Sequence, residues 1–488
     1  MLQHELTGVN TQIINETAFN VDIPQSESYA RGLKSTFLGR YRLMEKLFSI
    51  KTLSSSMIVG IFSDYLAFAN KRGLCINFLR SILAILWLVT LFGRSAFAAS
   101  TPLADLVESF WFSTDDSAVA ISNELKDSVP NLDTLYGALR QGPQYSDDVP
   151  RGQQESFRVD ADGTRFPYVF LIPETYDPLK KYPVEFMLHG GVSRPEWEPG
   201  GGWWRRGFDS LKRDDRIVVV PASWNEAFWW HENQADNLPA ILNVLKTSYN
   251  IDEDKVTLTG ISDGGTGAYF FAFKQPTQWA TFLPYIGHPG VLRNAQSGGG
   301  YRLYFENLMG RPLFIVNGEN DRLYPASSVE PFIDILVEAE INHVWRVIPE
   351  GGHNTNWLPD EMDAIENFKQ ANPRDPLPEK VVWVADRVDK FNRNAWVRVD
   401  ELSRTPGLIE VMREENSIEV TARGVSKFTL LLNPEEIDFS EPLLVKVNGE
   451  IKLSDRVSQS VDTLLFWAEE DRDRSMLFTA ELNFEVGD

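Results

Sequence analysis

One serine lies in a sequence pattern that suits nucleophilic catalysis. Residues 260–264 read Gly-Ile-Ser-Asp-Gly, which matches G-x-S-x-G and places Ser262 at the centre. A strand-like run precedes the pattern and an Ala- and Phe-rich helical run follows it, so a sharp turn would expose the Ser262 hydroxyl. The N-terminus of the following helix favours developing negative charge. The pattern predicts Ser262 as the nucleophile of an acyl-transfer reaction.

An acid and a base are expected later in the chain. A serine hydroxyl is a weak nucleophile and needs a base that a third group orients. In strand-turn-helix sites of this kind the chain order is Ser, acid, His. Asp321 follows a buried strand-like run, with Glu319 as the competing acid, and His353 follows the next such run and two glycines. His343 precedes that run and should lie at the opposite end of the sheet, so we predict Asp321 as the acid and His353 as the general base.

Backbone donors for an oxyanion are expected beside a third motif. Residues 189–191 read His-Gly-Gly and follow an early strand-like run. Turns of this type supply a backbone N–H group to an oxyanion hole, and the residue after the nucleophile supplies another. We therefore predict the N–H groups of Gly190, Gly191 and Asp263 as candidate donors, with no choice between the two glycines. The His189 side chain is expected to be structural.

Together these motifs resemble those of the α/β-hydrolase superfamily. Over roughly residues 155–372 the chain is similar to polyhydroxyalkanoate-depolymerase-like and feruloyl-esterase-like enzymes, and to the catalytic domains of prolyl-oligopeptidase-type peptidases. The resemblance implies a triad of Ser262, Asp321 and His353 that uses no metal and no cofactor. The motifs are specific for the superfamily and not for a substrate. Asp263 departs from the pattern in being acidic, which leaves its backbone N–H available.

The elements that must position these residues alternate between strands and helices. Buried strands are predicted at residues 183–188, 216–220, 255–259, 281–285, 312–316 and 344–348. Helices are predicted at residues 237–249, 265–275, 329–339 and 360–371, and a hairpin at residues 156–172. Such alternation indicates the α/β class, here an α/β-hydrolase with a mainly parallel sheet flanked by helices.

Changes of pattern on both sides of this region predict further segments. Residues 99–153 are expected to form an N-terminal helical extension packed on the core, and residues 154–372 the catalytic domain. Three prolines at its end indicate a linker. Beyond them, short alternating strands and an Asn-Gly turn suggest that residues 373–488 form a small all-β, sandwich-like domain.

Six tryptophans crowd the loops after two of the early strands. They are Trp197, Trp203, Trp204, Trp224, Trp229 and Trp230. Loops at the carboxyl ends of the strands rim the active site in this fold class, and aromatic faces suit sugar rings, aryl acyl groups or apolar chains. We predict Trp203, Trp204, Trp229 and Trp230 as substrate-binding residues. The alternative is packing of these long loops against the C-terminal domain.

Charge and cysteine content exclude several kinds of partner and site. The chain has 47 Lys and Arg against 69 Asp and Glu, a net charge of −22. Such a surface repels nucleic acid and anionic lipid, and it suits neutral or cationic substrates, with solubility alone as the alternative explanation. Taken with the motifs, the expected partner is a small-molecule or polymer ester substrate and no nucleic acid. The single cysteine, Cys75, excludes disulfides and thiolate metal sites.

A secretory signal is expected inside the chain. Residues 71–98 combine a basic flank, an apolar run and small residues ending in Ala-Phe-Ala, with cleavage before Ala99. The apolar run is short for a bilayer span, which needs ~20 apolar residues, and a signal anchor is the alternative. Residues 1–70 have no assigned role, and Met57 is an alternative start. We expect a secreted or periplasmic protein with no stable membrane span after cleavage.

The motifs therefore predict a secreted serine hydrolase of the carboxylesterase type that works through an acyl-enzyme. A serine peptidase of the prolyl-oligopeptidase type is the first alternative, and an exposed acidic anchor for a substrate amino terminus would favour it. A non-catalytic polysaccharide-binding protein on a hydrolase fold is the second alternative. The complete order of Ser, Asp and His argues against it.

Overall fold

An eight-stranded sheet carries all of the predicted motifs. Its strands are β1 (Gly152–Val159), β2 (Arg165–Ile172), β3 (Tyr182–Leu188), β4 (Ile217–Pro221), β5 (Ile251–Ile261), β6 (Thr281–Tyr285), β7 (Leu313–Gly318) and β8 (His343–Ile348). Their order in the sheet is β1-β2-β4-β3-β5-β6-β7-β8. β2 pairs antiparallel with β1 and β4, and the pairs from β4 through β3 to β8 are parallel. The predicted mainly parallel sheet is confirmed.

The computed structural model describes residues 102–113, 115–128, 131–195, 204 and 208–487. The predicted leader at residues 1–70, the signal segment at residues 71–98 and Cys75 lie outside these ranges. Within them, no helix has both the length and the apolar character that a membrane crossing requires.

Helices cover both faces of the sheet. In chain order, the helices of the described residues are α1 (Pro102–Phe112), α2 (Asp115–Ser128), α3 (Leu132–Gln141), α4 (Phe208–Leu211), α5 (Glu232–Lys246), α6 (Asp263–Lys274), α7 (Gly290–Arg293), α8 (Ala326–Glu338), α9 (Leu358–Ala371) and α10 (Val461–Asp471). On β7, Phe314 contacts Phe368 of α9 with ring centroids 5.4 Å apart. Its neighbour Ile315 packs in the main core with side chains of α5 and α6. Because successive strand residues face opposite ways, a strand covered on both faces is apolar throughout.

Two smaller sheets follow the catalytic region. One contains β9 (Lys380–Ala385), β12 (Gly407–Glu414), β13 (Ser417–Arg423), β15 (Leu443–Val447) and β16 (Glu450–Asp455), and the other contains β10 (Arg393–Asn394), β11 (Val397–Leu402), β14 (Val425–Leu432) and β17 (Ala480–Glu485). Side chains from both sheets, such as Trp383 and Phe428, share one apolar core. Two sheets over a common core fit the sandwich part of the prediction.

The all-β description of this region is wrong at α10. Ser460 caps the helix, since its hydroxyl oxygen accepts hydrogen bonds from the N–H groups of Asp462 and Thr463. Leu464 and Ala468, four residues apart, are buried on one face. A serine cap before apolar residues at helical spacing is a recognisable helix signal, and it was overlooked among the surrounding strand patterns.

The apolar faces of the N-terminal helices pack against α10. Phe110 of α1, Leu125 of α2 and Leu135 of α3 share a core with Leu464 and Leu465. The apolar partner of these helices is thus a helix that lies more than 300 residues later in the sequence. Val149, near the end of the N-terminal extension, packs against the main core.

Candidate active site

Ser262 lies at the tip of a strained turn between β5 and α6. Its φ of 60° and ψ of −115° are unusual for a residue with a side chain. The Ser262 N–H donates a hydrogen bond to the Tyr285 carbonyl at 2.9 Å, which ties the turn to the end of β6. The strand, sharp turn and helix thus have the arrangement that exposes a nucleophilic hydroxyl.

The glycines of the motif are required by close backbone approach. A Cβ atom on Gly260 would lie 1.9 Å from the Gly264 carbonyl oxygen, and one on Gly264 would lie 2.0 Å from the Leu188 carbonyl oxygen. Only residues without a side chain fit at such separations. The G-x-S-x-G pattern therefore reflects the packing of the turn against β3.

The structure brings Ser262, His353 and Asp321 together. His353 Nε2 lies 2.8 Å from Ser262 Oγ, and His353 Nδ1 lies 2.7 Å from Asp321 Oδ2. Since a carboxylate only accepts, the Nδ1–H group donates to Asp321, and Nε2 is left to accept the Ser262 proton. This is the geometry of a nucleophile, a base and an orienting acid.

The surroundings of Asp321 fix its carboxylate. Its side chain is fully buried, and Oδ1 accepts hydrogen bonds from the backbone N–H groups of Leu323 at 2.8 Å and Tyr324 at 3.0 Å. The competing acid, Glu319, accepts a hydrogen bond from the Glu350 N–H at 2.9 Å and supports the loop. Asp321, and not Glu319, is therefore the acid beside His353.

His343 lies at the start of β8, paired with Leu313 at the start of β7. Its Nδ1 atom lies 2.7 Å from the Ile341 carbonyl oxygen. His353 follows the other end of the same strand. The expected placement of the two histidines at opposite ends of the sheet is found.

The loop after β3 lies against the nucleophile. A Cβ atom on Gly190 would lie 2.9 Å from Ser262 Cβ and 3.5 Å from Ser262 Oγ. Gly191 has a φ of +70°, which favours glycine. The Asp263 carboxylate accepts a hydrogen bond from the Val192 N–H at 2.9 Å, so it anchors this loop to the start of α6. Gly190, Gly191 and Asp263 line the same cavity as Ser262, and their role as oxyanion donors stays a prediction.

The His189 side chain stabilises the same loop. Its Nδ1 atom lies 2.9 Å from the Gly190 carbonyl oxygen, and its Nε2 atom accepts a hydrogen bond from the Ser223 N–H at 3.0 Å. Burial lowers the pKa of His189 to about 4, and the charge of Arg194 acts in the same direction. His189 is therefore neutral at physiological pH and has the structural place expected of it.

A cavity of about 710 Å³ lies over Ser262 and His353. Besides Ser262 and His353, its lining includes Arg194, Trp204 and Tyr324. Sequence reasoning missed Tyr324, although it lies three residues after Asp321 in a loop at the carboxyl edge of the sheet. The position of that loop was the available signal, because side chains at this edge face the site.

The predicted tryptophans lie in different environments. Trp204 is buried and contributes to the cavity wall. Trp229 and Trp230 are almost fully buried in the main core, and their indole N–H groups donate to the carbonyls of His189 and Ser297. Their predicted contact with substrate is therefore wrong, because no face of either ring is free. Trp203 lies outside the described residues.

In the described ranges, no cluster of three or more His, Cys, Asp or Glu side chains has a geometry that could hold a metal ion. Among the residues that the structure describes, the Lys, Arg, Asp and Glu side chains that line the cavity are Arg194 and Asp263. The arrangement can supply the Ser262 hydroxyl, the His353 imidazole as a base and nearby backbone N–H groups as candidate donors.

Comparison with known proteins gives partial matches. No protein-family model matches the chain. A stretch of 152 residues is 24% identical to dipeptidyl-peptidase 5 of Porphyromonas gingivalis and covers 28% of this chain and 22% of that protein. A stretch of 140 residues is 30% identical to probable feruloyl esterase C of Aspergillus terreus and covers 27% of this chain and 49% of that protein. The chain resembles α/β-hydrolase esterases and peptidases. It spans less than half the length of these two relatives.

Two solved structures are also similar. A ferulic acid esterase from the anaerobic fungus Anaeromyces mucronatus has a TM-score of 0.37 at 17% identity, and the match covers 46% of this chain and 92% of that one. A putative dipeptidyl aminopeptidase IV from Bacteroides ovatus has a TM-score of 0.37 at 18% identity, over 45% of this chain and 36% of that one.

Proposed function

We propose that the chain is a serine hydrolase and that Ser262, His353 and Asp321 are its catalytic triad. The observation that carries the proposal is the pair of hydrogen bonds joining Ser262 Oγ to His353 at 2.8 Å and His353 to Asp321 at 2.7 Å. Three loops must converge at one edge of the sheet for these two hydrogen bonds to form. The two relatives with similar sequence, an esterase and a dipeptidyl peptidase, support a hydrolase function.

The proposed reaction proceeds through an acyl-enzyme. Ser262 Oγ attacks the substrate carbonyl carbon while its proton moves to His353 Nε2, and the buried Asp321 carboxylate stabilises the imidazolium. Backbone N–H groups of the 190–191 loop and of Asp263 stabilise the oxyanion. His353 then gives the proton to the leaving group. A water molecule, deprotonated by His353, attacks the acyl carbon and releases the acid and Ser262.

We propose an ester, small or polymeric, as the substrate. A substrate amino terminus is bound best by carboxylates near the nucleophile. Among the described residues that line the cavity, Asp263 alone carries a carboxylate, and its Oδ2 atom already accepts a hydrogen bond from the Val192 N–H. The feruloyl esterase match is also the more similar of the two relatives in sequence. Both observations favour an ester over a peptide.

The proposal is tested on the full chain with a fluorophosphonate probe and mass spectrometry. We expect labelling at Ser262 in the native protein, no labelling of Ser262→Ala, and a loss of several orders of magnitude in ester hydrolysis for His353→Ala. His343→Ala is the matched control and should retain activity, since His343 lies at the other end of β8. Absence of labelling in folded protein would overturn the proposal, and faster cleavage of dipeptidyl amides than of esters would replace esterase by peptidase.

Export is a further part of the proposal. The signal-like segment at residues 71–98 motivates it. Expression of the full chain followed by N-terminal sequencing of the product should yield Ala99 as the first residue. An uncleaved product retained in the cytoplasm would contradict export and would leave the hydrolase proposal intact.

A further inference from the structure

A second groove lies beside the candidate active site. Its volume is about 640 Å³, and it runs between the segment at residues 288–305 and helix α8. We name it the arginine groove after Arg293 and Arg302, which line it together with aromatic side chains. The proposed catalytic reaction does not use it.

The arginine groove adjoins the catalytic cavity through Tyr324. The Tyr324 ring lines the catalytic cavity and contacts the His353 ring, with centroids 5.8 Å apart. The same Tyr324 ring contacts the His288 ring at 5.6 Å, and His288 lines the arginine groove. Tyr324 and His288 therefore stand between the two spaces, so that the groove begins about two ring widths from His353.

The charge of the arginine groove is opposite to that of the chain. Acidic residues outnumber basic ones by 69 to 47, yet the groove is lined by Arg293 and Arg302 and by no Asp or Glu of the described residues. Within the part of the chain that the structure describes, neither arginine forms an ion pair. Two arginines without acidic partners in an acidic protein favour an anionic ligand. The planar guanidinium group suits a carboxylate, which it binds through two hydrogen bonds.

The floor of the arginine groove is aromatic. Tyr301, Phe305 and Phe332 contribute to it, and the Phe305 and Phe332 rings lie 5.1 Å apart. Aromatic faces bind flat rings or sugar rings. The occupant that fits is a ring carrying a carboxylate.

The position of the arginine groove points to the leaving group of a substrate. Tyr324 contacts the His353 ring and also the His288 ring of the arginine groove. His353 delivers the proton to the leaving group, so that group lies next to it. We propose that the arginine groove binds the leaving-group part of an ester substrate and recognises a carboxylate on its ring. This proposal rests on the proposed serine hydrolase function.

The test uses acetate esters of two phenols, 4-hydroxybenzoate and 4′-hydroxybiphenyl-4-carboxylate, each beside its uncharged primary amide. The two lengths allow for the reach past Tyr324. We expect kcat/KM of the native full chain to be about tenfold higher for at least one carboxylate than for its amide. The ratio should fall toward one in R293A/R302A and with rising salt, because ion pairing in an open groove is screened. R423A, which removes an exposed arginine of β13, is the matched control and should keep the ratio of the native protein.

Each outcome decides between the two proposals. The ratio is taken within one enzyme, so a general loss of activity in a variant cancels. Hydrolysis of all four esters with ratios near one, or a ratio that R293A/R302A leaves unchanged, would overturn the arginine groove proposal alone. No hydrolysis of any ester and no fluorophosphonate labelling of Ser262 would overturn the hydrolase proposal and this one with it.

Discussion

The carboxylate of Asp263 accepts a hydrogen bond from the backbone N–H of Val192 at 2.9 Å. Asp263 is the first residue of α6 and directly follows Ser262, and Val192 lies two residues after Gly190 in the loop that packs against the nucleophile. One side chain therefore ties the nucleophile turn to the oxyanion loop. The acidic residue after the serine, which is a departure from the usual pattern, has a positional explanation.

Asp263→Ala should lower kcat for ester hydrolysis by about 10- to 100-fold, because a hydrogen bond to a charged group contributes about 1.5–3 kcal/mol. KM should change less, since the loop acts on the transition state. Asp263→Asn keeps an acceptor oxygen and should retain most of the activity. Steady-state kinetics on a small aryl acetate would measure both. Equal impairment of the Ala and Asn variants, or full activity of the Ala variant, would contradict the tether.

The buried His189 predicts a loss of stability in mild acid. Its pKa is lowered from the usual 6.5 to about 4 by burial, with Arg194 acting in the same direction. The unfolded chain therefore binds a proton at pH values where the folded chain does not, and the free energy of unfolding decreases as pH falls from 6.5 to 4. The contribution of this group is at most about 3 kcal/mol. This contribution of His189 to the free energy of unfolding is fully present above pH 6.5.

His189→Gln isolates this contribution. The amide donates and accepts as the neutral imidazole does, but it does not titrate. Urea unfolding at several pH values between 7 and 4 should give a shallower dependence of the free energy of unfolding on pH in the variant. All other titrating groups act in both proteins, so the difference belongs to His189. Two parallel pH profiles would show that His189 is not protonated on unfolding.

Two glycines should respond to alanine in opposite directions. In Gly264→Ala the new Cβ would lie 2.0 Å from the Leu188 carbonyl oxygen, so we expect a loss of about 1–3 kcal/mol or more and disruption of the nucleophile turn. Gly137 lies within α3 and has no atom within 4 Å of a new Cβ. Gly137→Ala should gain about 0.5–1 kcal/mol through helix propensity. Urea unfolding measures both, and destabilisation by Gly137→Ala would contradict the open packing around α3.

The parts of the site that sequence could predict share one physical cause. Ser262 and Asp321 each follow a buried apolar strand. His353 follows β8, which was predicted as buried but is a partly exposed strand at the edge of the sheet. The carboxyl ends of parallel strands meet at one edge of a sheet. The strand at residues 281–285 was predicted with the bounds that the structure gives to β6. Apolar runs and chain order were thus sufficient to predict that three residues distant in the sequence lie together.

Residues whose positions depend on tertiary packing escaped prediction. Trp229 is buried because Gly267 leaves room for it, as a Cβ on Gly267 would lie 2.5 Å from Trp229 Cβ. Ile286 lines the cavity with a φ of 45°, although a β-branched residue disfavours positive φ. Its N–H donates to the Val316 carbonyl at 2.7 Å, a contact with β7 that no local pattern reveals.

Arg374 joins the catalytic region to the C-terminal sheets and should be essential for stability. It follows α9 in the predicted linker, and its guanidinium pairs with Asp254 at 2.7 Å and with Asp473 at 2.8 Å. Burial alone would raise the pKa of Asp473, and the charge of Arg374 outweighs it, so that the pKa falls to about 2. Arg374→Met leaves this carboxylate buried without its partner, which should reduce the free energy of unfolding by about 3–5 kcal/mol.

Urea unfolding of the full chain tests this prediction, with an exposed ion pair as the control. Arg346 pairs with Glu361 at 3.2 Å and is about half exposed, so Arg346→Met should change the free energy of unfolding by less than about 1 kcal/mol. If Arg374 couples the two regions, the native protein unfolds in one transition, and Arg374→Met either lowers its midpoint or splits it in two. A stability of Arg374→Met equal to that of Arg346→Met would mean that the buried carboxylates find water or another cation, and that the regions do not depend on this ion pair.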